Sequence, residues 1–165
     1  MRSRLVSVTV PGTIDRIGEA AFAASGNLKS VTVEQGVKEI GAEAFADCPV
    51  LFDVTLPESG VTLGARLFRY CTLLGTITLP EGITELPYQC FWDCQALVNI
   101  IVPEGVTAIP NGAFYNCQKL VSVALPDSLT AIGESAFENM KNITGVVIPA
   151  SVRDMGKKPL DTVPP

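Results

Sequence analysis

Four phenylalanines are each followed three residues later by a cysteine: Phe45 and Cys48, Phe68 and Cys71, Phe91 and Cys94, Phe114 and Cys117. Cys90 is the fifth cysteine of the chain. Thiols in a regular array offer three kinds of chemistry: disulfide formation, zinc ligation and nucleophilic attack. Zinc sites want clustered cysteines or histidine, and a cysteine nucleophile wants a base, usually histidine. The chain has no histidine. Equivalent positions of a regular array point their Cβ atoms in parallel, which disfavours disulfides between them. The remaining reading is structural, because a buried free cysteine behaves as a small hydrophobe. There is no phosphate-binding glycine loop, no G-x-S-x-G and no convergent carboxylate pair. Asn142 opens an N-x-T sequon, a match expected by chance in a chain of this length. The sequence predicts a non-enzyme without cofactor or metal.

The elements that hold the cysteines repeat. Phenylalanine recurs at Phe22, Phe45, Phe68, Phe91, Phe114 and Phe137, always 23 residues apart. In the same register run apolar columns that begin at Leu5, Val8, Val10 and Ile17, the last ending at Met155. The cysteine column is Ser25, Cys48, Cys71, Cys94, Cys117, Met140, and Cys90 falls in a column otherwise filled by Ala and Leu. All these columns are expected to face inward. Segments such as "LKSVTV" alternate apolar with polar residues and are rich in β-branched ones, which predicts short strands. A proline usually ends the strand and a turn follows. "GAEAF" and "GESAF" predict one helical turn or a short 3₁₀ segment. A unit this short cannot bury its own apolar side, so stacked copies are required. Parallel strands about 4.8 Å apart would give seven coils a span of roughly 29 Å.

The units "LVSVALPDSLTAIGESAFENM" and "LVNIIVPEGVTAIPNGAFYNC" resemble the BspA-like class of leucine-rich repeats. The resemblance runs from Leu5 to about Met155. It implies an α/β solenoid with a parallel β-sheet on the concave face, short helical or 3₁₀ turns, and irregular coil elsewhere. The expected organisation is one domain over 1–165, with repeats at 5–27, 28–50, 51–73, 74–96, 97–119, 120–142 and a degenerate 143–165. The resemblance further implies a bacterial cell-surface or secreted protein that binds host matrix or plasma proteins. An intracellular protein-interaction scaffold or regulatory module is the alternative.

Binding residues must come from outward positions. Two strand columns point out of the concave face. The first is Ser7, Ser30, Asp53, Thr76, Asn99, Ser122, Gly145, and the second is Thr9, Thr32, Thr55, Thr78, Ile101, Ala124, Val147. Candidate contact residues are Asp53, Thr55, Thr76, Thr78, Asn99, Ile101, Ala124 and Val147. Ile101, Ala124 and Val147 carry most weight, since exposed apolar surface marks contact. Serine and threonine ladders also simply suit a flat sheet. A second candidate is an outer stack of Arg69, Trp92 and Tyr115, which is either a contact cluster or a cover for the frame.

Twelve basic against seventeen acidic residues give a net charge of −5. Nucleic acid and anionic membrane surfaces need a positive face and are unlikely partners. No apolar run is long enough for membrane insertion, and the first residues carry no signal-peptide pattern. The expected location is extracellular or at the cell surface, which makes the chain a fragment or a leaderless form. Three departures stand out. Gly60 occupies a core column and Val61 follows one position late, which predicts a bulge. Pro87 and Pro110 replace the glycine of "IG" and are expected to stiffen the helical turn. Only "MRSR" precedes the first strand, and Leu160 and Val163 stand where phenylalanine and cysteine would. Poorly capped ends point to a longer repeat array or to self-association through ends or edges.

Overall fold

Short alternating segments closed by proline can pair only with their equivalents one repeat away, and the chain winds accordingly. In this computed structural model, which describes residues 4–160, every strand pairing is parallel and joins residues 23 apart. Val163 and the first three residues of "MRSR" lie outside the described residues. One ladder contains β1 (Ser7–Val10), β3 (Ser30–Val33) and β5 (Asp53–Thr55), and resumes with β7 (Asn99–Ile101) and β9 (Ser122–Ala124). A second contains β2 (Arg16–Ile17), β4 (Glu39–Ile40) and β6 (Thr62–Leu63). It resumes with β8 (Ala108–Ile109), β10 (Ala131–Ile132) and β11 (Asp154–Met155). The molecule is therefore a β-solenoid.

The core lies between the ladders and the phenylalanine corner. Phe22 to Phe137 form one continuous stack, with ring centroids 5.4 to 5.9 Å apart and planes within 10° of parallel. From Phe45 to Phe137 the rings are fully buried, while Phe22 at the first coil is half-buried. Leu28, Leu51, Leu74, Leu97 and Leu120 are sealed beside them. Met155, expected to face inward, is exposed. Leu160 packs against the core at the phenylalanine position.

The expected helical turns do not form: the described residues contain no helix. "GAEAF" is a zigzag of tight turns instead. Ala44 N–H donates to Gly41 O and Ala46 N–H to Glu43 O, three residues back. The intervening amides of Glu43, Phe45 and Asp47 donate to Ala65, Leu67 and Arg69 of the next coil. Glu43 and Asp47 have φ near +57° and +56°, and equivalents recur in every coil, as at Arg66, Tyr70, Gln89 and Asp93. Left-handed residues cannot continue a right-handed helix. The alternation turns half the amides of the corner toward the neighbouring coil, so the corner is a third set of rung-to-rung bonds. The α component of the expected fold class is thus replaced by turns. In the third repeat Gly60 is exposed at φ +72° and Val61 is buried, so the extra residue loops out and the core position is refilled.

Both ladders are interrupted at one place. The fourth coil contributes no strand, and among the described residues no backbone bond joins Thr76–Leu79 to a neighbour. The second ladder follows one column of residues. Gly41, Gly64, Gly133 and Gly156 donate their N–H to Ile17, Ile40, Ile109 and Ile132 of the preceding coil. A Cβ at these glycines would lie within 2.3 to 2.7 Å of the nearest atom of the preceding coil. Pro87 and Pro110 occupy the same column on the two sides of the gap. Each lacks the N–H and carries the Cβ that the close approach excludes. Their effect falls on the ladder and not on a helical turn: neither can donate the rung bond that the glycines donate, and the second ladder lapses at the fourth coil. In the first ladder Gly75 opens the unpaired fourth segment, and Gly145 opens the seventh, which is also unpaired. Glycine brings a strand no side chain to pack. Other bonds persist across the gap, from Phe68 N–H to Cys90 O, Phe91 N–H to Ala113 O, Glu81 N–H to Glu58 O, Val98 N–H to Gly75 O and Thr107 N–H to Thr84 O, so the fourth coil stays in the stack and only its strand pairing lapses.

Candidate protein-binding surface

Interior columns decide first which residues are unavailable. All five cysteines are buried and free. The thiols of Cys48, Cys71, Cys94 and Cys117 donate to the carbonyls of Phe22, Phe45, Phe68 and Phe91 one coil back, at 3.1 to 3.3 Å. Burial pushes each thiol above its ordinary range. Cys90 is pushed up by burial as well, with the Cys71 and Cys117 thiols adding to the effect. A thiol held protonated and sealed in the core is a poor nucleophile and a poor metal ligand. Among the described residues no group of three or more His, Cys, Asp or Glu is placed to hold a metal ion.

The strand face carries the first candidate set. Pairing of β3 with β5 and of β7 with β9 puts Asp53 beside Ser30 and Asn99 beside Ser122, whose hydroxyl donates to Asn99 Oδ1 at 2.7 Å. Asp53, Thr55, Thr76, Thr78, Asn99 and Ala124 are all exposed. Ile101 is 74% and Val147 86% exposed, the highest values among the large apolar residues, so Val147 and Ile101 present whole side chains to solvent. Thr76 and Thr78 sit on the unpaired fourth segment, and Val147 on the unpaired seventh.

The outer stack forms only in part. Trp92 and Tyr115 stack at 4.0 Å with planes 19° apart. Trp92 lies over Gly112, where a Cβ would come within 2.6 Å of its ring. Arg69 leaves this stack: its guanidinium sits 4.6 Å over the Tyr70 ring and donates to the Tyr70 hydroxyl at 3.1 Å. All three outer candidates are half-buried, which gives them less free surface than the strand face.

The surface around the fourth coil adds Ile77, Leu79, Glu81, Pro103 and Glu104, which sequence reasoning did not single out as contact residues. Between Thr76–Leu79 and β7 lies a cleft of about 660 Å³ with Ile77, Leu79, Ile101 and Pro103 in its wall and Glu81 and Glu104 at its margin. A second cleft of about 580 Å³ is lined by Thr78 and Leu79 of the same segment and by the end of β5 and its turn, including Glu58.

The model of the BspA type leucine-rich repeat region matches residues 1–117 and 84–161, in six copies. The chain belongs to this BspA-type family. Among solved structures it is similar to a leucine-rich repeat protein of T. pallidum, at 28% identity and TM-score 0.86 over 93% of this chain and 74% of that one. It is also similar to a leucine-rich cell surface protein of Faecalibacterium prausnitzii, at 33% identity and TM-score 0.86 over 93% of this chain and 44% of that one. A leucine-rich repeat protein of Eubacterium ventriosum matches at 28% identity and TM-score 0.83, over 92% of this chain and 41% of that one. The chain thus spans less than half the length of the latter two. A search of curated proteins finds no match. BspA-type repeats build a frame of the protein-interaction type, and no helix among the described residues is long and apolar enough to cross a membrane.

Proposed function

We propose that this chain is a non-catalytic protein-binding module of a bacterial cell-surface or secreted protein, and that it binds through the strand face of its fourth to seventh coils. The observation that carries the reading is the exposure of Ile101 and Val147 on a face with little charge. Large apolar side chains held open to water on a rigid frame mark contact surface. The surface setting is supported by the F. prausnitzii relative, described as a cell surface protein. Host matrix or plasma proteins are the partners this setting suggests. Trp92 and Tyr115 supply a smaller second surface.

The test is binding of the chain to a panel of matrix and plasma proteins, with Ile101→Asp and Trp92→Ala beside the wild type. Loss of signal on Ile101→Asp alone supports the strand face. Loss on Trp92→Ala alone moves the contact to the outer stack. No signal from any panel protein removes the host-binding reading.

A further inference from the structure

The strand side of the fourth and fifth coils holds a cleft of about 660 Å³. Val98 N–H donates to Gly75 O before this stretch and Thr107 N–H to Thr84 O after it, so the cleft is a fixed depression in a joined surface. Its accessible apolar wall is Ile77, Ile101 and Pro103, with Ile101 74% exposed. Thr78, Glu81 and Glu104 border it, all exposed, and no lysine or arginine lines it. An apolar concavity with a few polar groups of one charge selects both the body and the head of what enters it. Ion pairs elsewhere join Arg16 to Glu39, Lys38 to Asp15 and Arg66 to Glu43, and neither Glu81 nor Glu104 takes part in one. Glu81 and Glu104 occupy equivalent positions of adjacent coils, where like charges facing each other are unfavourable. A cation set between them relieves that repulsion.

We infer that this cleft receives an arginine side chain of the protein partner. The methylenes of the arginine lie along Ile77, Ile101 and Pro103, as long basic side chains pack their stems on apolar surface. Its guanidinium, a planar fork of donors, reaches the Glu81 and Glu104 carboxylates, one from each coil. The Thr78 hydroxyl is a further acceptor beside them. Arginine is enriched among the few side chains that anchor protein interfaces. The inference rests on the protein-binding reading and its strand face, and it adds the position of an anchor and the chemistry of the side chain that fills it. It also gives Glu81 and Glu104 a role that apolar contact at Ile101 alone does not require.

The experiment uses the whole chain and a fluorescent peptide with leucine, arginine and leucine between glycine-serine ends. Its control carries citrulline, which keeps the shape of arginine and lacks the charge. Anisotropy reads the affinity, and the methyl resonances of Ile77 and Ile101 locate the peptide. The expected result is that the arginine peptide shifts both methyl signals and binds about fivefold or more tightly than the citrulline peptide. In Glu81→Gln/Glu104→Gln the two peptides should bind alike. In Glu19→Gln/Glu134→Gln, which removes the same charge from exposed positions outside the cleft, the arginine preference should remain. Thermal unfolding should be unchanged in both variants, since all four side chains are exposed. No binding of the arginine peptide, equal binding of the two peptides by the wild type, or an arginine preference that survives in Glu81→Gln/Glu104→Gln would overturn the inference. A panel protein whose binding is lost on Ile101→Asp and unchanged in Glu81→Gln/Glu104→Gln would overturn it too, while upholding the strand face as the contact surface.

Discussion

Cys94 shows how one side chain serves this frame. Its thiol donates to Phe68 O one coil back, the same oxygen that accepts the backbone N–H of Cys71. Serine could make such a bond only with more desolvation, and alanine could not make it. Replacing Cys94 by alanine is expected to cost about 1–2 kcal/mol in urea unfolding, from the lost atom and bond. The raised thiol values also set a pH dependence. The unfolded chain ionises its thiols near their ordinary value of 9.0, whereas burial keeps Cys94 and its neighbours protonated when folded. The thiol contribution is therefore whole below pH 9 and is lost as pH rises above it. Each deeply buried thiol then costs about 1.4 kcal/mol per pH unit. Unfolding midpoints measured from pH 8 upward should fall steeply, and Cys94→Ala should make the fall shallower. Equal slopes would mean the thiol ionises in the folded protein. The structural role of the cysteines was legible in the sequence because the histidine-free composition and the column pattern left little else. The acceptor was not, because Phe68 O is 26 residues from Cys94 and adjacent only after stacking.

The element scale turns on how closely neighbouring coils approach. Gly64 N–H reaches Ile40 O at 2.8 Å, and a Cβ there would lie 2.3 Å from Ala42 N. Gly64→Ala is expected to push β6 from β4, with a cost above about 1 kcal/mol and faster amide exchange at Thr62 and Gly64. Unchanged exchange would show that close approach is not what glycine provides. Strands, registers and the outward columns were readable because period-two alternation and the 23-residue repeat agree. The corner was misread as helical because "GAEAF" has helix-forming composition and no glycine where the chain turns left-handed. Asp47, Asp93, Asn116 and Asn139 stand at one of these left-handed positions, a residue preference that marks such geometry. Pro87 and Pro110 were noticed, but their consequence depends on the rung bond that the equivalent glycines donate to the preceding coil, which no single repeat reveals.

At the scale of the whole molecule, each coil is stabilised by its neighbours, so position along the stack sets the cost of a core change. Phe91 is sealed between Phe68 and Phe114, at 5.9 and 5.5 Å, while Phe22 has one ring neighbour and is half-buried. Phe91→Ala should cost about 3–5 kcal/mol, and Phe22→Ala distinctly less, in thermal or urea unfolding. Equal costs would contradict a nearest-neighbour stack. Family membership was legible from the repeat alone, whereas the interruption of the sheet was not, because it depends on which rung bonds form between neighbouring coils. The phenylalanine stack runs without interruption while the strand ladder lapses at the fourth coil, and the proposed contact surface lies on the strand side. The most direct test is an amide-exchange footprint of the chain with a bound protein from the matrix and plasma panel. Slowed exchange at 99–101 and 122–124 is the predicted result. Slowed exchange confined to 92–93 and 115–116, with the strand face unchanged, would contradict it.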